Sequence, residues 1–183
     1  MINIGGSKKM QKNNPFNTEV EEYEEWFKTN DKLLESELDA IRQLLPTSGE
    51  GIEIGVGTGI FASKLHESYQ FALMVTVDCF VNDILKAFSE VRRILVNNGI
   101  FIIAFLDKAT PLGELYEQNK HWHKSYKDAN FHSAEEIHKL LEEAGFEILK
   151  TKQTVYALEN NLQEIKSGTG EGLFVVINAQ KRY

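Results

Sequence analysis

Gly51-Ile52-Glu53-Ile54-Gly55-Val56-Gly57-Thr58-Gly59 is the stretch on which the fold of this chain turns. A short apolar strand runs into a cluster of glycines, and the glycines open a helix from Ile60 to about Leu65. Glycine lets the backbone turn sharply and lets a ligand come close to main-chain N–H groups at a helix N-terminus. The stretch therefore reads as the cradle of a nucleotide-type cofactor. Glu53 lies inside the strand, two positions before Gly55. A carboxylate buried in a strand is costly without partners, so Glu53 is expected to serve something.

Outward from that motif, strand and helix patterns alternate. Phe71 to Thr76 and Ile100 to Phe105 are continuous apolar runs of strand length. Between them Asn82-Asp83 caps a helix ending near Val96, and Asn97-Asn98-Gly99 turns into the second run. On the N-terminal side, Val20, Tyr23, Trp26 and Phe27 recur at helical spacing, as do Leu34, Leu38, Ile41 and Leu45. The two helices break near Asn30-Asp31, with Asp31 the expected N-cap, and Pro46-Thr47-Ser48-Gly49 leads into the first strand. On the C-terminal side, Leu112 to Lys120 is a short helix. Ser133-Ala134-Glu135-Glu136 is a capping box opening a helix to Ala144, with Gly145 as its stop. Phe146 to Val155 and Leu173 to Ala179 are the last two strands, with Gly168, Gly170 and Gly172 in the bend between them.

This order predicts an α/β domain: a mostly parallel sheet with one antiparallel edge strand, helices on both faces and two helices ahead of the sheet. Ligands in such domains sit outside the carboxyl ends of the strands. The candidate site is thus Gly55 to Gly59, Thr76 to Phe80, and Leu106-Asp107.

The 183 residues, 20.9 kDa, suit one domain with a real core. Residues 1–15 are polar and read as a disordered leader, leaving 16–183 as the domain. A net charge of −7 argues against a nucleic-acid partner, because phosphate binding favours a basic face. No apolar run approaches the roughly 20 residues of a membrane span. Cys79 is alone, which fits a reducing cytoplasm and leaves no disulfide framework. As a nucleophile Cys79 is the weaker reading; a small packing residue is the default.

The ordered series resembles the class I S-adenosylmethionine-dependent methyltransferases, in particular the small-molecule group called methyltransferase type 11. The matching residues are the E-x-G-x-G-x-G run from Glu53, the strand Phe71–Thr76, the helix Ile84–Leu95, the Asn97-Asn98-Gly99 turn and the strand Ile100–Phe105. The likeness extends from about Phe16 to Ala179 and implies a Rossmann-like sheet, of whose usual seven strands this chain supplies about five. It implies S-adenosyl-L-methionine as cofactor, held by Glu53, Gly55, Val56, Gly57, Thr58, Gly59, Thr76 and Val77. It also implies methyl transfer to a small-molecule nucleophile. The N-terminal helix and the region around residue 121 form a lid in the family, so Tyr23, Trp26, Phe27, His121, His123 and Tyr126 are lid or substrate candidates; core packing is an equal reading for the first three. His121-Trp122-His123 invites a metal, but no carboxylate or Cys at ligand spacing completes a set, so none is expected. No general base is fixed, because an activated methyl donor makes one optional. Two rivals remain. One is a catalytically impaired binding or dimerisation scaffold. The other is an NAD-binding domain, in which Asp78, 23 residues after Gly55, would bind a ribose hydroxyl.

One part of the family pattern is absent. Between the helix after the glycines and Phe71, the family carries a second strand, a helix and a third strand, roughly 35–40 residues. Here only a handful intervene, with the join near Leu65-His66. Joining strand one through its helix directly to the Phe71 strand would give a left-handed crossover, whereas about 98% of such connections are right-handed. We therefore expect a segment to be missing between Ser63 and Tyr69, with Leu65 and His66 not true neighbours. A genuine deletion would instead leave strand one as an open edge that invites a second copy, hence a homodimer.

Overall fold

The computed structural model describes residues 20–55, 70–122 and 126–183, with side chains from Glu24 onward. The leader, Val56 to Tyr69 with the Leu65-His66 join, and residues 123–125 lie outside the described residues. In chain order the elements are α1 (Val20–Thr29), α2 (Asp31–Arg42), β1 (Glu50–Ile54), β2 (Gln70–Val75), α3 (Ile84–Ile94), β3 (Ile100–Leu106), α4 (Pro111–Asn119), α5 (Ala134–Glu143), β4 (Phe146–Thr154), β5 (Lys166–Ser167) and β6 (Phe174–Lys181). Short 3-10 turns occupy Asp78–Phe80 and Lys120–Trp122.

The strands form one mixed sheet in the order β1-β2-β3-β6-β4-β5. β1, β2 and β3 run parallel, with Ile54 opposite Met74 and Met74 opposite Ile103. The expected order of the first, Phe71 and Ile100 strands is therefore present. The antiparallel strand is not at the edge, as expected, but inside the sheet: β6 pairs antiparallel with both β3 and β4. Its composition explains this. Phe174 to Ile177 are buried without alternation, the mark of a strand covered on both faces. Among the described residues there are six strands, against the expected about five. The extra one, β5, is two polar residues paired to the end of β4 and carries no apolar signal.

Strand alternation sorts the side chains into two cores. Leu73, Val75, Ile102, Ala104 and Val176 face α2, which contributes Leu34, Leu38 and Ile41, with Leu44 just past its end. Ala72, Met74, Phe101, Ile103 and Phe105 face α3 and α5 with Phe88, Val91, Ile137 and Leu141. Helices thus cover both faces.

The helix ends follow the sequence closely. Asp83 Oδ1 accepts the Lys86 N–H at 3.0 Å. The capping box at Ser133 is complete, with Ser133 Oγ accepting the Glu136 N–H and Glu136 Oε2 accepting the Ser133 N–H. At α2 the expected cap is displaced by one residue: Asn30 holds the N-cap position, without a side-chain cap bond, and Asp31 is already helical.

Candidate functional site

Register brings the C-terminal ends of β1, β2 and β3 side by side, and the Thr76 N–H donates to Ala104 O at 2.8 Å just beyond the ladder. At that level Gly55 has φ +71°. A Cβ on Gly55 would lie 2.6 and 2.8 Å from the two methyls of Val77, so the turn after β1 is pressed against the turn after β2. The residue just before Val77 is strained. Thr76 has φ +50°, a left-handed conformation that a β-branched residue adopts at a cost of about 1–3 kcal/mol. Gly55, Thr76 and Val77 therefore meet in one place. Val56, Gly57, Thr58 and Gly59 lie outside the described residues.

Glu53 is half-buried in β1 and has no hydrogen bond or ion pair among the described residues. Burial pushes its carboxyl up to about 7. The edge salt bridge or cap that would make Glu53 merely structural has no described counterpart. A carboxyl left this way takes its charge most readily when a cationic group arrives, and the amino end of an amino-acid-bearing cofactor is such a group. The residues present thus fit S-adenosylmethionine.

Asp78 is committed elsewhere. It is only 2% exposed, and its Oδ2 lies 3.2 Å from His132 Nδ1. Burial raises its carboxyl against the lowering pull of His132. The pair ties the end of β2 to the segment ahead of α5, so Asp78 is not presented to a ribose and the NAD-binding rival loses its acid. Cys79 is buried, and burial pushes its thiol far above the range in which it reacts, as a packing residue requires. Asp107, at the end of β3, is also structural: its Oδ1 accepts the Ala109 and Ala134 N–H groups at 2.9 and 3.2 Å.

The lid candidates separate. Phe27 is buried in the α2-side core, with the half-exposed Trp26 edge-on to it at 5.0 Å. Tyr126 belongs to an aromatic cluster above β2 and β3, stacked on Phe80 at 6.3 Å, with Tyr116 at 6.2 Å and Phe131 at 5.5 Å. His121 is exposed and apart from these contacts; the side chain of Tyr23 and all of His123 lie outside the described residues. No group of three metal-ligating side chains occurs among the described residues, nor does any helix there have the length and apolarity to cross a membrane.

Sequence reasoning missed Glu37. It lies on α2, 8% exposed, with burial pushing its carboxyl up to about 8. Its charge reaches the Tyr116 phenol of α4. The signal was available: Glu37 interrupts the apolar face of Leu34, Leu38 and Ile41 at helical spacing.

Comparison with known proteins agrees with this geometry. Residues 62–151 match the profile of a methyltransferase domain family. A solved S-adenosylmethionine-dependent methyltransferase of Thermotoga maritima, described as a possible histamine N-methyltransferase, is 37% identical. The match covers 92% of this chain and 99% of that one, with a TM-score of 0.86. An uncharacterized protein of Methanocaldococcus jannaschii is 34% identical over 204 residues, 92% of this chain and 99% of its own length. A methyltransferase of Mesorhizobium loti, 14% identical over 80% of this chain and 98% of its own with a TM-score of 0.60, shares the fold. The chain belongs to the class I S-adenosylmethionine-dependent methyltransferases, and S-adenosylmethionine is its cofactor.

The M. jannaschii alignment is longer than this chain. Since 92% of 183 residues is about 168, about 36 of its 204 positions have no counterpart here. That is the size of the strand–helix–strand segment that the sequence lacks.

Proposed function

We propose that the protein transfers the methyl group of S-adenosylmethionine to a nitrogen, oxygen or carbon nucleophile on a small molecule. The observation that carries this reading is the meeting of Gly55, strained Thr76 and Val77 beside Glu53, which has no partner among the described residues, in a chain of this family. Glu53 would hold the amino end of the cofactor. Gly55, Val56, Gly57, Thr58 and Gly59 would present backbone N–H groups to it, and Thr76 and Val77 would line its flank. The bound cofactor supplies a methyl already activated on a sulfonium, so the protein's share is alignment and the exclusion of water. The Phe80–Tyr116–Tyr126–Phe131 cluster supplies an apolar wall suited to the second task. The T. maritima relative's description favours a nitrogen acceptor.

The same reading takes residues 16–183 as one domain and a small molecule, rather than nucleic acid or a membrane, as partner; the net charge of −7 supports it. The buried, unreactive Cys79 suits a reducing cytoplasm. Calorimetry with S-adenosylhomocysteine tests the proposal: micromolar binding supports it, and no binding up to millimolar concentration counts against it. A second reading, an impaired scaffold or a homodimer formed through the β1 edge, is favoured by the roughly three dozen positions lacking against the M. jannaschii relative. The mass of the intact protein separates the two. A value roughly 4 kDa above 20.9 kDa, at about 110 Da per residue, restores the segment and removes the reason for the scaffold.

A further inference from the structure

Glu37 stands out among the acidic side chains that the methyl-transfer machinery leaves unused. It is more than nine-tenths buried, and no hydrogen bond or ion pair reaches it among the described residues. Burying a carboxyl without a partner is costly whether it is neutral or charged, so the position is poor for stability. A leucine there would continue the face of Leu34, Leu38 and Ile41.

Its surroundings point to the strand ends. Leu33, Leu34 and Phe27 pack around the N-terminal half of α2, and Leu106, Leu112 and Tyr116 border the same core. Leu106 closes β3, and Leu112 and Tyr116 lie on α4 just beyond it. From Tyr116 the aromatic contacts continue to Tyr126 and from there to Phe80, four residues past the strained Thr76. A carboxyl, two phenols and a phenyl ring thus lead in sequence from α2 to the mouth where the cofactor's methyl would be presented. The Tyr116 phenol, raised by its own burial and then by Glu37, is the ionisable group facing Glu37 from α4; no cation faces it among the described residues.

We infer, building on the methyl-transfer reading above, that Glu37 is the carboxylate that receives a protonated amine on the methyl acceptor, with Tyr116 and Tyr126 as the aromatic wall beside it. The amine meets both an opposite charge and ring faces, which attract cations as well as apolar groups. One Oε of Glu37 can then accept a proton from the ammonium, leaving the nitrogen lone pair free. Before the amine arrives, burial keeps the carboxyl protonated near neutral pH, so capture of an ammonium ion releases a proton to the solvent.

Titration calorimetry in the presence of saturating S-adenosylhomocysteine tests this with two probe pairs: 2-phenylethylamine against 2-phenylethanol, and tyramine against tyrosol. For the native protein at pH 7, at least one amine should bind about tenfold or more tighter than its alcohol. Comparison of buffers of different ionisation enthalpy should show proton release. Glu37→Gln, which keeps the shape of the neutral carboxyl, should bind S-adenosylhomocysteine unchanged while losing both the amine preference and the proton release. Equal affinity for amine and alcohol in the native protein, binding of neither, or a preference kept by Glu37→Gln would overturn the inference and leave the methyltransferase reading standing. Loss of S-adenosylhomocysteine binding in the native protein would instead remove that reading, and this inference with it.

Discussion

Replacing Glu37 by Gln should make the protein more stable, and increasingly so as pH rises. Burial holds the Glu37 carboxyl at about 8 in the folded chain, against an ordinary 4.5. At 1.36 kcal/mol per pH unit, that difference corresponds to about 5 kcal/mol at its ceiling. The sign is set by where the proton resides. Below pH 4.5 the group is neutral in both states and costs nothing extra. Between 4.5 and 8 the unfolded chain gives up its proton while the folded one keeps it, so stability falls with rising pH. Above 8 the folded protein carries a buried charge and the full loss is reached. Glutamine cannot ionise. The two proteins should therefore be nearly equal at pH 4.5, differ by about 3 kcal/mol at pH 7, and by up to about 5 kcal/mol at pH 9. A total folding stability of about 5–15 kcal/mol makes this a large fraction. Urea unfolding of both proteins at pH 5, 7 and 9 measures it, and titrating groups that Glu37 does not act on cancel in the difference. Two curves that run parallel across that range would refute the reasoning, because they would mean that Glu37 is solvated or paired in the folded state.

Three further outcomes follow from steric and hydrogen-bonding detail. Gly55→Val puts a branched side chain into the Val77 methyls at a positive φ; S-adenosylhomocysteine affinity should fall at least a hundredfold by calorimetry, and an unchanged affinity would separate this turn from the cofactor. Gly113→Ala drives a Cβ into the Asp107 carbonyl at the start of α4, and should cost about 2–3 kcal/mol of stability in urea unfolding. Ser133→Ala breaks half of the capping box on α5, and should cost about 1 kcal/mol in the same assay with little change in ligand affinity.

The sheet's middle and its helices were legible because their signals are periodic. Ile100 to Leu106 is a continuous apolar run and becomes a strand buried on both faces. Ser133 to Glu136 announces a capping box and forms one. What could not be read was placement. β6 has the continuous burial of an inner strand, yet it follows β4 in the chain, and chain order suggested an edge. Asp78 has the spacing of a ribose ligand, but only the folded chain brings His132 beside it, 54 residues on. Glu37 was readable as an interruption of an apolar face; that its charge acts on Tyr116 of α4 is a tertiary fact. Of the eight residues expected at the cofactor, Val56 to Gly59 lie outside the described residues, and Gly55 is pressed against Val77 beside Thr76. The strain at Thr76 has no counterpart in residue type, since threonine is a poor choice for a positive φ.

β1 carries the strongest physical argument about what this chain lacks. Its sequence, Gly-Ile-Glu-Ile-Gly, has the short apolar character of a strand, and its end at Gly55 meets Val77 in the turn after β2. Here no strand pairs with its outer edge among the described residues. Ile52, at its centre, is 49% exposed, whereas the paired residue Ala72 on β2 is fully buried. Glu53 tells the same story from the polar side: it is buried enough to hold its proton to about pH 7, yet no described group answers its charge. One covering element would resolve both. The M. jannaschii alignment has about 36 positions in all without a counterpart in this chain, as many as a strand–helix–strand unit would supply. The half-exposed Ile52 and the Glu53 carboxyl without a described partner thus mark the outer edge of β1 as the open side of the sheet among the described residues.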